Sequence, residues 1–298
     1  MSRFAQIDLS QLPPPDVVEE IDFEVALASV ISQLEQDVPD LANVLSLESD
    51  PLRKLLETIV YRDILFRARV NDAARAVMLA TASSADLDNL AALLGVARLT
   101  ITPADESVTP SNPAVLETDD AFRERAQLAL EGYTTAGSIG AYEFHARSAD
   151  GGVSDVSVTS PAPGEVLVTV LAHDGDGIPP IDLIATVDAA VSADEVRPLC
   201  DHVTVAAPQL VDFSVEAQIE IATGPNAGVV LSAAQAAVDA YVAETRALGA
   251  TVALSGLLRA LHQAGVISAQ LTSPAADVET SETEAPNCTG ISIVQAVA

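Results

Sequence analysis

Between Leu52 and Ala80 apolar residues recur at alternating steps of four and three. They are Leu52, Leu56, Ile59, Phe66, Val70, Ala73, Val77 and Ala80, with Asp63 as the single polar break. A period of 3.5 residues sustained over four heptads predicts a long helix over 51–80 with one apolar seam. Ser49 or Asp50 can cap its start, with Pro51 at the first helical position, where its missing N–H costs nothing. Taken by itself, the stripe fits one long core helix and a helix shared with partner helices in a bundle equally well.

Weaker periods flank it. "LPPPD" (12–16) reads as extended, polyproline-like chain, and Phe23 to Leu34 as a short amphipathic helix. "LDNLAALLGV" predicts a second short helix ending at Gly95. Residues 98–118 have no period and contain Pro103, Pro110 and Pro113, which predicts a loop or linker. Thr118 then caps "DDAFRERAQLALEG", with Asp119 and Asp120 at the positive end of that helix.

From Ile139 onward the period alternates between that of a helix and that of a strand. A helix over 139–149 leads into "VSDVSVTS", the turn "PAPG" and "EVLVTVLA"; a helix "PIDLIATVDAAVSADEV" with Pro180 near its start follows, then the alternating, strand-like stretch "RPLCDHVTVAAPQLVDFSVEAQIEI". The last part repeats the scheme with helices "SAAQAAVDAYVAETRAL" and "SGLLRALHQAG" and strands "VISAQLTSP" and "GISIVQAV". Setting Gly152 against Gly265 matches Gly, Val, Thr, Ser, Pro and Ala within eleven positions. This echo suggests two related helix–strand units. The expected fold class is α+β: an N-terminal helical region (1–99) with a long bundle helix, a linker (100–118), and two small α+β domains with antiparallel sheets (119–200 and 201–298).

Composition adds constraints. At 298 residues the chain exceeds a single comfortable core, and 49% hydrophobic residues with only 3% aromatics and no Trp predict aliphatic cores. Net charge is 14 − 43 = −29, which sets the chain against phosphate backbones and anionic lipid. Neither nucleic acid nor a membrane is an expected partner. Six basic residues nevertheless crowd between Arg53 and Arg75, a local excess that points to a protein contact there. Two cysteines are too few for a disulfide scaffold. The first twenty residues carry no apolar signal core, and no run of about 18 apolar residues exists to span a bilayer. A soluble protein of a reducing cytosol is expected.

Candidate chemistry is sparse. Cys200 and His202 share one strand face, but zinc takes four ligands and no second pair accompanies them. "HDGDGIPP" from His173 falls short of a calcium loop, since Ile178 and Ala185 stand where oxygen ligands are needed. His145 and His262 lie singly in predicted helices. There is no phosphate-binding glycine loop, dinucleotide fingerprint or nucleophile elbow, so no catalytic residue, metal or cofactor is expected. Ser160, in the turn of "TSPAPG", reads as turn chemistry, not as a nucleophile.

The segment "LETIVYRDILFRARVNDAARAVMLATASSADLDNLAALLGVARL" (56–99) resembles the baseplate J-like family, the wedge proteins of contractile phage tails and phage-tail-like bacteriocins. "ETDDAFRERAQLAL", "TTAGSIGAYEFHA", "VSDVSVTSPAPGEVLVTVL", "VRPLCDHVTV" and "LGATVALSGLLRALHQAGV" continue the resemblance in order, over roughly 50–275. One departure is "ATASSADLD", where a Gly is expected before the acidic pair.

The resemblance implies a non-enzymatic, mechanical role. Copies would pair and join into a ring around the hub, the N-terminal helices would bundle with a second wedge protein, and sheath-initiating and hub proteins would be neighbours. Assembly would take place in the bacterial cytoplasm. It places the bundle contact on Leu52, Leu56, Ile59, Phe66, Val70 and Val77, flanked by Arg62 and Arg69, and makes the proline-containing linker a candidate hinge. Two other classes remain: a tail-associated cell-wall hydrolase, which needs an essential carboxylate, and a secreted adhesin, which needs an export signal.

Overall fold

A computed structural model describes residues 7–13, 15, 17–224 and 226–296. The reading of 12–16 as polyproline-like falls partly outside these residues. The chain divides into two compact units, Ile7–Ala97 and the stretch from Arg98 onward.

The first unit is helical. Helix α1 (Phe23–Asp37) starts on the Asp22 side chain, which accepts the Val25 N–H at 2.9 Å. A short α2 (Ala42–Leu45) precedes α3 (Pro51–Ala76) and α4 (Ser84–Ala92). Of the two candidate caps for α3, Asp50 is the one used: its carboxylate accepts the Leu52 N–H at 2.8 Å, with Pro51 at the first helical position. The helix stops four residues short of the predicted 80. Gly95, at φ 74°, lies beyond the end of α4 in the left-handed conformation that favours glycine. Leu27, Leu45, Val60, Leu87 and Ala91 are buried within this unit.

In the second unit, residues predicted as loop fold back as a hairpin. Strand β1 (Thr100–Thr102) pairs antiparallel with β2 (Val115–Leu116), and Asp105 bridges to Asn112. Thr118 caps α5 (Asp119–Leu128), accepting the Ala121 N–H. There follow α6 (Ile139–Ala149), β3 (Val153–Thr159), β4 (Glu165–Ala172), α7 (Ile181–Val191) and β5 (His202–Ala206). The sheet order is β3-β4-β5. Val156, Val158, Val168 and Val170 pack against Tyr142 and Ala146 of α6 and Leu183, Val187 and Val191 of α7.

The last module comprises β6 (Gln209–Ile221), α8 (Ala227–Glu244), β7 (Thr251–Val252), α9 (Leu254–Leu261), β8 (Val266–Ser273), β9 (Val278–Glu279) and β10 (Glu284–Gln295). Its main sheet runs β10-β6-β8, and β7 pairs with β9. Along β6, Val215, Ala217 and Ile219 are buried while Glu216, Gln218 and Glu220 are exposed, the alternation of a sheet covered on one face. Val230, Ala234 and Val238 of α8 and Leu257 and Leu261 of α9 supply the cover. Gly256 is dictated by packing: a Cβ there would lie 2.1 Å from the Tyr241 hydroxyl.

The α+β class holds, with one refinement. Each three-stranded sheet is mixed, not wholly antiparallel: β4 and β5 run parallel, as do β6 and β10. A helix crossover between β4 and β5 returns the chain to the same end of the sheet, so the next strand must run the same way. The echo is real but local. β3 and β8 both follow a helix and both lie at a sheet edge, yet β3 pairs with the strand after it and β8 with β6, two strands earlier.

The two modules of this unit are packed on each other. β3 and β4 are buried on both faces, and Leu171 meets Leu248 and Ala285 on the side away from α6 and α7. Asp155 links them: one carboxylate oxygen accepts from Arg147 Nη2 at 2.5 Å and the other accepts the Leu248 N–H at 2.9 Å. Among the described residues no helix is long and apolar enough to cross a membrane.

Candidate functional site

Helix α3 is positioned by one face only. Val60 is 3% exposed and Asn71 is buried, with Ile64 half-buried between them. Asn71 fixes the chain entering α1: its Nδ2 donates to the Glu19 carbonyl and its Oδ1 accepts the Glu19 N–H. The heptad stripe lies elsewhere. At 100° per residue, Ile59, Phe66, Val70 and Val77 stand roughly 100° around the helix from Val60.

They are correspondingly bare: Ile59 is 53% exposed, Phe66 69%, Val70 44% and Val77 69%. Leu52 and Leu56, at the start of the stripe, are half-buried. The seam and the core-facing row are therefore different rows of one helix. Large exposed apolar patches are uncommon on a solitary soluble domain and mark contact surfaces. Two further residues that the period did not select, Tyr61 and Leu65, are exposed on the opposite flank. Across from the stripe, Val25 and Val30 of α1 join Ile59, Asp63 and Arg67 in lining a groove of about 440 Å³.

The charges around α3 divide into two groups. Arg53 and Lys54 both meet Glu57, and Arg67 meets Asp63 at 2.9 Å and Glu19 at 3.4 Å, while Arg75 sits 3.9 Å from Asp72. The neighbouring cations, Lys54 first, hold the Glu57 carboxyl below its ordinary range. Arg62 and Arg69, beside the stripe, are exposed, and among the described residues neither meets a carboxylate.

Pro103, Pro110 and Pro113 all lie on the exposed hairpin that carries β1 and β2. Its base is clamped. The Glu117 N–H donates to the Leu99 carbonyl at 2.9 Å, Arg98 donates to the Glu117 carbonyl, and Arg125 grips the Glu117 carboxylate at 3.0 and 2.6 Å. The guanidinium groups of Arg98 and Arg125 both lie over the Phe122 ring. His173 lines the adjoining cavity, where burial pushes its imidazole below the ordinary value.

The other candidate residues are scattered. Ser160 is exposed and its hydroxyl donates to the Ala162 carbonyl at 3.1 Å, a bond within the turn. Gly164, at φ 80°, completes the reversal. Nearby, burial and the adjacent Asp201 carboxylate raise the Tyr142 phenol well above its usual value, so the hydroxyl stays a donor to Asp201. His145 bonds to the Gly132 carbonyl. Among the described residues no group of three or more His, Cys, Asp or Glu side chains is placed to hold a metal.

Three domain descriptions of one family match the chain in order: the baseplate J-like N-terminal domain over residues 48–105, the central domain over 134–207 and the C-terminal domain over 213–294. Baseplate protein J of Escherichia phage P2 is 45% identical over 293 residues, covering 97% of each chain. The cryo-electron microscopy structure of the anti-feeding prophage baseplate, sixfold symmetrised, shows a loose likeness. It is 17% identical with a TM-score of 0.42, over 60% of this chain and 42% of that one. With all three domains matched in sequence and a relative aligned almost end to end, the chain belongs to the baseplate J-like family.

Proposed function

We propose that this chain is a structural, non-catalytic component of a contractile-tail baseplate, and that the outer face of α3 is where it joins a helical bundle with other baseplate proteins. The observation that carries this is the bare row Ile59, Phe66, Val70 and Val77 on a helix whose other face is already packed on α1. Family membership and the phage P2 relative supply the setting. In this reading paired copies join into a ring around the hub. A second wedge protein shares the bundle, sheath-initiating and hub proteins lie alongside, and the particle is assembled in the bacterial cytoplasm. The ring would pass on the trigger for sheath contraction through interfaces with two discrete arrangements. The proposed hinge is the segment 100–118, which starts two residues after the second compact unit begins at Arg98.

The test is assembly. Ile59→Asp with Phe66→Asp changes only exposed positions, so the purified chain should keep its fold and thermal transition. In a host producing the particle, the double variant should yield no complete baseplates. Intact particles containing it would count decisively against a bundle role for this face.

A further inference from the structure

The basic residues of α3 carry information about what its apolar seam meets. With Leu56, Asp63, Val70 and Val77 at heptad position a, and Ile59 and Phe66 at d, Arg62 and Arg69 fall at successive g positions, beside the seam and seven residues apart. The remaining cations of the helix are neutralised within the unit, by Glu57, Asp63, Glu19 or Asp72. Of the cations on α3, only these two meet no carboxylate among the described residues, in a chain of net charge −29 that has carboxylates to spare. Position g faces e or g of a partner helix and selects it by charge.

A second copy of α3 is a poor fit. In a parallel pair, g of one helix faces e of the next heptad, setting Arg62 against Arg67 of the other copy. In an antiparallel pair g faces g, setting arginine against arginine. The antiparallel arrangement sets like charges together, and in the parallel one Arg67 is already held by Asp63 and Glu19, so neither gives Arg62 or Arg69 a carboxylate. Asp63 at an a position is already met by Arg67 and leaves one polar layer in an otherwise apolar seam.

Resting on the reading that α3 docks a helix, we infer that its occupant is an amphipathic helix from another protein. Its apolar heptad seam is flanked by carboxylates seven residues apart, which pair with Arg62 and Arg69.

The full chain is titrated with three labelled four-heptad peptides that share a Leu seam and carry Glu, Gln or Lys at every e and g position. Whole-chain charge favours the Lys peptide, but at about 0.15 M salt the Debye length is about 8 Å, so the local arginines decide. The Glu peptide should bind tightest, about five- to tenfold over Gln, and the advantage should shrink as salt rises. Arg62→Glu with Arg69→Glu should reverse the order in favour of Lys.

Equal binding of all three peptides overturns the acidic partner while leaving the docking face intact. No binding by any of them overturns the docking face as well. Sedimentation showing a dimer of the chain that Phe66→Asp dissolves would make a second copy the occupant and overturn the inference.

Discussion

Asn71 holds both backbone polar groups of Glu19 across 52 residues of sequence, donating to its carbonyl at 2.8 Å and accepting its N–H at 3.1 Å. A side-chain amide bonded in this way acts as a staple. It replaces a strand partner for one residue and fixes how the chain approaches α1 on the inner face of α3. That face, not the heptad stripe, is what the unit uses for its own cohesion.

Asn71→Ala should therefore destabilise the helical unit by about 1–2 kcal/mol, the cost of two lost hydrogen bonds at a partly buried site. Asn71→Asp keeps the acceptor for the Glu19 N–H but sets a buried carboxylate oxygen against the Glu19 carbonyl, and should cost at least as much. Denaturant unfolding monitored by helical circular dichroism measures both. An effect of Asn71→Ala no larger than that of an exposed substitution would show that the staple is incidental.

Asp155 should matter more. Its carboxylate accepts from Arg147, from the Val156 N–H and from the Leu248 N–H, so it joins α6, β3 and the C-terminal module. Asp155→Ala leaves a mostly buried guanidinium and a buried N–H without this partner. A loss of about 3 kcal/mol or more is expected, seen as a lower urea midpoint and as faster amide exchange at Leu248. Unchanged exchange there would show that the joint is carried by apolar packing alone.

Stability should fall in mild acid. Burial, opposed by the hydrogen bond to Gly132, lowers the His145 pKa in the folded chain below the usual 6.5. The unfolded chain thus takes up a proton first as pH falls, and stability present above about 6.5 is lost as pH drops through the folded value. His173 shifts in the same direction by burial. Between pH 7 and 5, Tm of His145→Gln should fall less steeply than that of the parent. Parallel curves would exclude a contribution from His145.

Ser160→Ala should change almost nothing. The hydroxyl makes one bond, to Ala162 within its own exposed turn, and surface substitutions of this kind stay within about 0.5 kcal/mol. Particle assembly should match the parent. Loss of function without loss of stability would restore Ser160 as a working residue.

How much of this was legible in the sequence depends on the range of the interactions involved. Local signals survived into the structure: Asp50 and Pro51 start α3, Thr118 starts α5, and period-2 alternation marks β6. Each depends on groups a few residues apart, so neighbours in sequence suffice. The hairpin over 100–116 was not legible, because its pairing partners are separated by prolines and polar residues without a period, and its base is held by Arg125. Strand direction was missed for a similar reason: alternation reports which face is buried, not which way the neighbour runs.

That α3 is long, amphipathic and seamed at 3.5 residues follows from the order of its side chains alone, since a hydrophobic period is written there. The sequence could not say whether Ile59 and Phe66 were core or surface. That was decided only when α1 took the row of Val60 and Asn71 instead, leaving the stripe bare. Likewise the residues whose partners are distant, Asn71 on Glu19 and Asp155 on Leu248, carry no sequence mark. A hydrogen bond over 52 or 93 residues exists only once the chain has brought its ends together.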